Sequence, residues 1–202
     1  MPADASTLRI LGLEALLAAQ RDRRLAPVER WDPPYCGDIG LKIRADGTWL
    51  YRGSPITRVA LVKLFAGVLR RDGDGKHYLV TPAEKVDVAV EDAPFLAVEL
   101  EARGTGRGQT LILRTNLDDI VSVGAQHPLR FALEPTTRGL IPYVLVRGRL
   151  EARLTRALAY ELVELAIAAA TAADEASAHH SGVGVYSGGV YFPLPAAALE
   201  EC

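Results

Sequence analysis

The pair Asp46–Gly47, set between the β-prone runs 39–45 and 48–52, constrains this chain more than any other feature. Asp-Gly between such runs signals a hairpin, because both residues of a two-residue turn need positive φ. Closing the ribbon on these two residues sets Ala45 opposite Thr48, Arg44 opposite Trp49, Ile43 opposite Leu50 and Lys42 opposite Tyr51. Side-chain alternation then divides it. Ile39, Leu41, Ile43 and Leu50 share an apolar side, whereas Lys42, Arg44, Trp49 and Tyr51 share the other.

Cations beside aromatics make a candidate binding face. A flat ligand could stack on Trp49 or Tyr51 while the Arg44 fork takes a phosphate or carboxylate. Arg52, at the end of the apolar side opposite Leu41, and Lys85 further along complete the candidate set of Lys42, Arg44, Trp49, Tyr51, Arg52 and Lys85. The simpler alternative is that the rings pack under a helix, covered by lysine and arginine stems.

Ser54 and Pro55 suit the start of a helix in which Leu61, Leu64, Phe65, Val68 and Leu69 recur at spacings of three and four. Arg70 and Arg71 then sit at its negative C-terminal end. The string DGDG at 72–75 is a turn, since it lacks the further oxygen ligands of a calcium loop. A strand returns at 77–82, and alternation predicts others at 85–91, 95–101, 110–115, 129–133 and 143–147. RGTGRG at 103–108 is a hairpin tip and no phosphate loop, because no helix opens after it. After Arg147–Gly148, which echo Arg52–Gly53, a second helix is expected on Leu154, Leu158, Leu162 and Leu165, followed by a strand at 190–195. Residues 7–24 read as a helix, and Trp31, Pro33 and Pro34 as an extended connector. The adjacent His179 and His180 diverge in direction and form no ligand set for a metal.

These patterns predict an α+β protein of two domains with a repeated strand-helix-strand element. Residues 1–30 form an N-terminal helix and connector, 31–84 an N-terminal α+β domain and 85–202 a C-terminal α+β domain. A net charge of -2 and a pI of 6.1 argue against a nucleic-acid partner. Two cysteines, Cys36 and Cys202, give no disulfide framework. The apolar stretch 8–19 is broken by Glu14 and too short to span a bilayer, so no membrane partner and a cytoplasmic location are expected.

The blocks WDPPYCGDIGLKI, DGTWLYRGSPI, LVKLFAGVLRRDGD, YLVTPAEKV, EDAPFLAVE and GVYSGGVYFPL together resemble the bacterial family catalogued as domain of unknown function 1285. The resemblance covers nearly the whole chain from Trp31 onward. It implies two α+β domains with internally repeated elements, the C-terminal one similar to pleckstrin-homology barrels. It assigns no enzyme activity and suggests a ligand site between the domains for a nucleotide-like molecule.

No G-x-S-x-G elbow, HExxH motif or complete phosphate loop is present, so no catalytic residue, cofactor or metal is expected, and Asp38 beside Cys36 is read as a turn cap. The leading expectation is a non-enzymatic ligand-binding or regulatory protein sensing an anionic, nucleotide-like small molecule at the domain interface. The alternative is a protein-interaction or homo-oligomeric scaffold in which the same aromatics form the interface.

Overall fold

The computed structural model describes residues 26–173 and 182–196. The helix expected at 7–24 and the histidines at 179 and 180 lie outside them. The chain forms two compact units, the first reaching Pro94 and the second beginning at Phe95, with Gly148–Leu150 grouped with the first. No helix among the described residues is long and apolar enough to cross a membrane.

In the first unit a 3-10 turn at Val28–Arg30 leads into β1 (Tyr35–Ile43), β2 (Trp49–Tyr51) and β3 (Ser54–Pro55). Helix α1 (Val59–Gly67) follows, then β4 (Leu69–Arg71), β5 (His77–Val80) and β6 (Lys85–Val90). The six strands form one sheet in the order β3-β2-β1-β6-β5-β4. Its centre is the parallel pair β1 and β6, flanked on each side by an antiparallel meander. Lys85–Val90, expected to open the second domain, lies inside this first sheet.

The hairpin register differs from the expected one by one residue. Leu41 pairs with Tyr51, Lys42 with Leu50 and Ile43 with Trp49. The cause is the turn. The Arg44 amide donates to the Thr48 carbonyl at 2.9 Å and the Gly47 amide to the Arg44 carbonyl at 2.9 Å, so the loop holds three residues, with Gly47 at φ 81°. A three-residue loop also ends in a residue of left-handed conformation, so Asp-Gly suits it as well as the two-residue turn. The consequence is large because strand side chains alternate with period two, and a one-residue slip changes which residues share a face. Trp49 and Tyr51 join Leu41 and Ile43 in the core, at 1% and 8% exposure.

A two-residue turn does occur, at Arg52–Gly53. Both residues have positive φ, 48° and 81°, and Tyr51 pairs with Ser54 across them, the arrangement of a type I′ hairpin.

The expected start and end of α1 are also corrected. Ser54 and Pro55 pair with β2 as a short edge strand, and the helix begins at Val59. Its carboxyl end comes after Gly67, so Leu69, Arg70 and Arg71 form β4. Leu61, Val62, Leu64 and Phe65 are buried, and the Phe65 ring lies 6.3 Å from that of Trp49. The helix therefore closes the inner face of the sheet, where Leu69, Leu79, Val86 and Val88 are also buried.

The second unit contains β7 (Phe95–Arg103), β8 (Thr110–Thr115), β9 (Ile120–Ser122), β10 (Leu129–Leu133), β11 (Leu140–Arg147) and β12 (Leu150–Leu154). Helix α2 (Arg156–Ala173) and the hairpin β13 (Gly184–Ser187) and β14 (Val190–Pro193) complete it. Leu154, expected in the helix, is the last residue of β12, whereas Leu158 and Leu162 are buried on α2. The sheet order is β10-β11-β12-β7-β8-β9, with β12 and β7 parallel at the centre. Numbered from their own first strands, the two sheets have the same order. The strand after α1 returns to its own sheet, whereas the strands after α2 pair only with each other.

The short link between β9 and β10 forces curvature on the second sheet. Flat, its two edges would stand about 24 Å apart, five strand spacings. From Ser122 to Leu129 a fully extended chain reaches about 25 Å at most, yet the Gly124 amide bonds the His127 carbonyl at 3.2 Å and folds that link into a turn. The edges must approach each other, as they do in a closing barrel.

Candidate functional site

The corrected register divides the six expected site residues. Trp49 and Tyr51 belong to the inner face and offer no stacking wall to a ligand. The Arg52 guanidinium lies 5.3 Å from the Tyr51 ring centroid, beside the exposed type I′ turn. Arg44 is exposed where the hairpin loop begins. Lys42 and Lys85 share the outer face, since Lys42 pairs with Ala89 and Lys85, Asp87 and Ala89 alternate onto one side of β6. Lys42 forms an ion pair with Glu91 at 2.7 Å.

Around Lys85 the outer face carries a connected polar cluster that the sequence reading missed, except for Lys85 itself. It starts at Arg70, which is 8% exposed. The guanidinium grips Asp72 through Nε at 2.5 Å and Nη2 at 3.1 Å. Its Nη1 donates to the carbonyls of Val28 at 2.6 Å and Trp31 at 2.7 Å. Lys85 Nζ reaches the same Asp72 at 3.3 Å and lies 4.7 Å from the Tyr78 ring centroid. The Tyr78 hydroxyl donates to Asp74 at 2.6 Å, and the Tyr35 hydroxyl donates to Asp87. The rings of Tyr35 and Tyr78 meet edge to face at 6.3 Å.

Cross-strand register brings these groups together: Arg70 pairs with Tyr78, Tyr78 with Asp87, and Tyr35 with Lys85. Tyr35 can reach Asp87 because β1 is irregular, with register shifts on both sides of Asp38 and positive φ at Gly37 and Gly40. Asp38 caps this irregularity by accepting the Gly40 amide at 2.7 Å, the role expected of it.

The charges settle one another. Partial burial pushes the Asp72 carboxyl up, but Arg70 and then Lys85 outweigh it and hold the group below its ordinary value. Donation to Asp74 first, and then burial, raises the Tyr78 phenol, and donation to Asp87 raises that of Tyr35. Both phenols remain neutral donors at pH 7. On the other side of β5, burial and then the positive charge of Arg71 lower His77 to about 4. No group of three or more metal-ligating side chains occurs among the described residues. The contacts on this face are hydrogen bonds, ion pairs and ring contacts.

Comparison with known proteins gives a consistent assignment. Residues 26–93 match the family model described as "Domain of unknown function (DUF1285), N-terminal domain". Residues 94–194 match "Protein of unknown function (DUF1285), C-terminal domain". The chain is similar to the crystal structure of a DUF1285 family protein from Silicibacter pomeroyi DSS-3, with a TM-score of 0.76 and 42% identity over 89% of this chain and 93% of that one. A DUF1285 family protein from Shewanella baltica OS155 aligns with a TM-score of 0.49 and 30% identity over 62% of this chain and 91% of that one. No curated protein matches. With both of its domains matched in order, this chain belongs to the DUF1285 family.

Proposed function

We propose that this chain is a non-enzymatic interaction protein that recognises a protein partner through the outer face of its N-terminal sheet. The observation that carries this reading is Tyr35. It is 58% exposed, yet its ring rests on Tyr78 and its hydroxyl is held by Asp87. An exposed aromatic that is already ordered loses little conformational freedom on binding, and tyrosine is enriched at binding hot spots. Asp38 and Asp87 beside it favour a partner that presents a basic group.

A photo-crosslinking side chain placed at position 35 tests the reading, with the exposed position 101 as control. A discrete adduct from position 35 alone is expected. No adduct there, together with a saturable thermal shift by an anionic metabolite that Arg44→Ala abolishes, would overturn it. That outcome belongs to the second reading, in which the exposed Arg44 and Arg52 take a nucleotide-like anion at the turns of the first hairpin.

We also read the two sheets as copies of one ancestral strand order, and the C-terminal unit as akin to a pleckstrin-homology barrel. The common order, the curl imposed by the short β9–β10 link and the helix after the sixth strand support both statements.

A further inference from the structure

We propose that residues 26–32 form an autoinhibitory strap, locked onto the outer face of the N-terminal sheet by Arg70 and able to open at Asp32, ahead of the fixed Pro33–Pro34, while the sheet stays folded. The inference concerns the same face as the binding reading but is tested without a partner.

No side chain of the turn at Val28–Arg30 is fully buried, although Val28 and the following Trp31 are half-buried. Its polar anchor is Arg70, whose Nη1 donates to the carbonyls of Val28 and Trp31. Beyond the strap the chain is fixed differently. Pro33 is buried, the Lys85 amide donates to the Pro34 carbonyl at 3.0 Å, and pairing with β6 begins at Tyr35. Stability thus falls from a strand held by a ladder to a segment held by one polar anchor and a few half-buried side chains. Asp72 fixes the far side of the Arg70 guanidinium, so the two donors facing the strap stay in place when it leaves. They would then present a buried-quality site to two carbonyl oxygens of another chain. The strap, in this view, satisfies with its own backbone the donors that a partner's extended segment would take.

Hydrogen exchange and limited trypsin digestion of the full chain test the lock, using Arg70→Lys. Lysine keeps the charge beside Asp72 but cannot fork to the carboxylate and two carbonyls at once. The amides of Val28, Arg30 and Trp31 should exchange about tenfold faster or more in the variant, with new cleavage after the exposed Arg30. Amides of β5 and β6 should keep their wild-type rates. Equal acceleration in the strap and in those strands would show a general loss of stability and overturn the proposal. Unchanged exchange at 28–31 would overturn it equally.

Discussion

The two sheets of this protein share a strand order but solve the same connection problem differently. Each must carry the chain from the third strand, at one edge, to the fourth strand, at the other. The N-terminal sheet does so with α1, which crosses the inner face and buries Phe65 against Trp49. The C-terminal sheet does so with the short link after Ser122, which requires a curled sheet, and its helix comes after the sixth strand. The difference teaches that a crossover helix frees the opposite face of an open sheet for polar construction. A curled sheet must instead be closed by elements added at its end.

The sharpest way to break this comparison is to remove the crossover's anchor. Phe65→Ala should cost the N-terminal unit about 3–5 kcal/mol in urea unfolding, because the ring is fully buried and its loss leaves a cavity. A cost below 1 kcal/mol, by the same scale, would mean α1 is not the lid described.

For the C-terminal unit the corresponding test is the clip on its terminal hairpin. The buried Ser187 hydroxyl accepts the Leu111 amide at 2.8 Å and donates to the Val123 carbonyl at 2.7 Å. Ser187→Ala should cost about 1–3 kcal/mol by orphaning those groups. Exchange of the Leu111 amide should rise with it.

His77 gives a pH test confined to the N-terminal sheet. Its folded pKa, about 4, lies below the ordinary 6.5, so the unfolded chain takes up the proton first. Stability from the neutral ring is complete above about 6.5 and falls as pH drops toward about 4. For a partly exposed ring the loss should be on the order of 1–2 kcal/mol, and His77→Gln should flatten that part of the profile.

Two smaller effects refine the hairpin. Arg52→Asn should stabilise by up to about 1 kcal/mol, since asparagine tolerates positive φ better. Lys42→Ala should leave the unfolding midpoint unchanged, because its pair with Glu91 is exposed to solvent.

Much of the strand content was legible because alternation is local. Val86 and Val88 point inward as their spacing predicts, and β8, β10 and β14 lie close to where the sequence places strands. Helix limits were less legible: Leu69 and Leu154 continue a helical spacing while lying in strands, since a period of three or four is easily extended by chance. The hairpin register was ambiguous because glycine after aspartate serves two loop lengths, and that single residue moved Trp49 and Tyr51 from the candidate site into the core. The cluster around Arg70 left almost no local signal. It depends on the pairing of β4, β5 and β6 with the distant β1, which no local sequence pattern encodes.

Everything assigned to the outer face rests on Trp49 being on the inner one. Fluorescence of Trp49 in a Trp31→Phe protein measures this directly, since these are the chain's only two tryptophans. The account predicts blue-shifted emission that an aqueous quencher barely touches until the protein unfolds. Emission and quenching like those of free tryptophan in the folded protein would contradict it and return Trp49 to the ligand face.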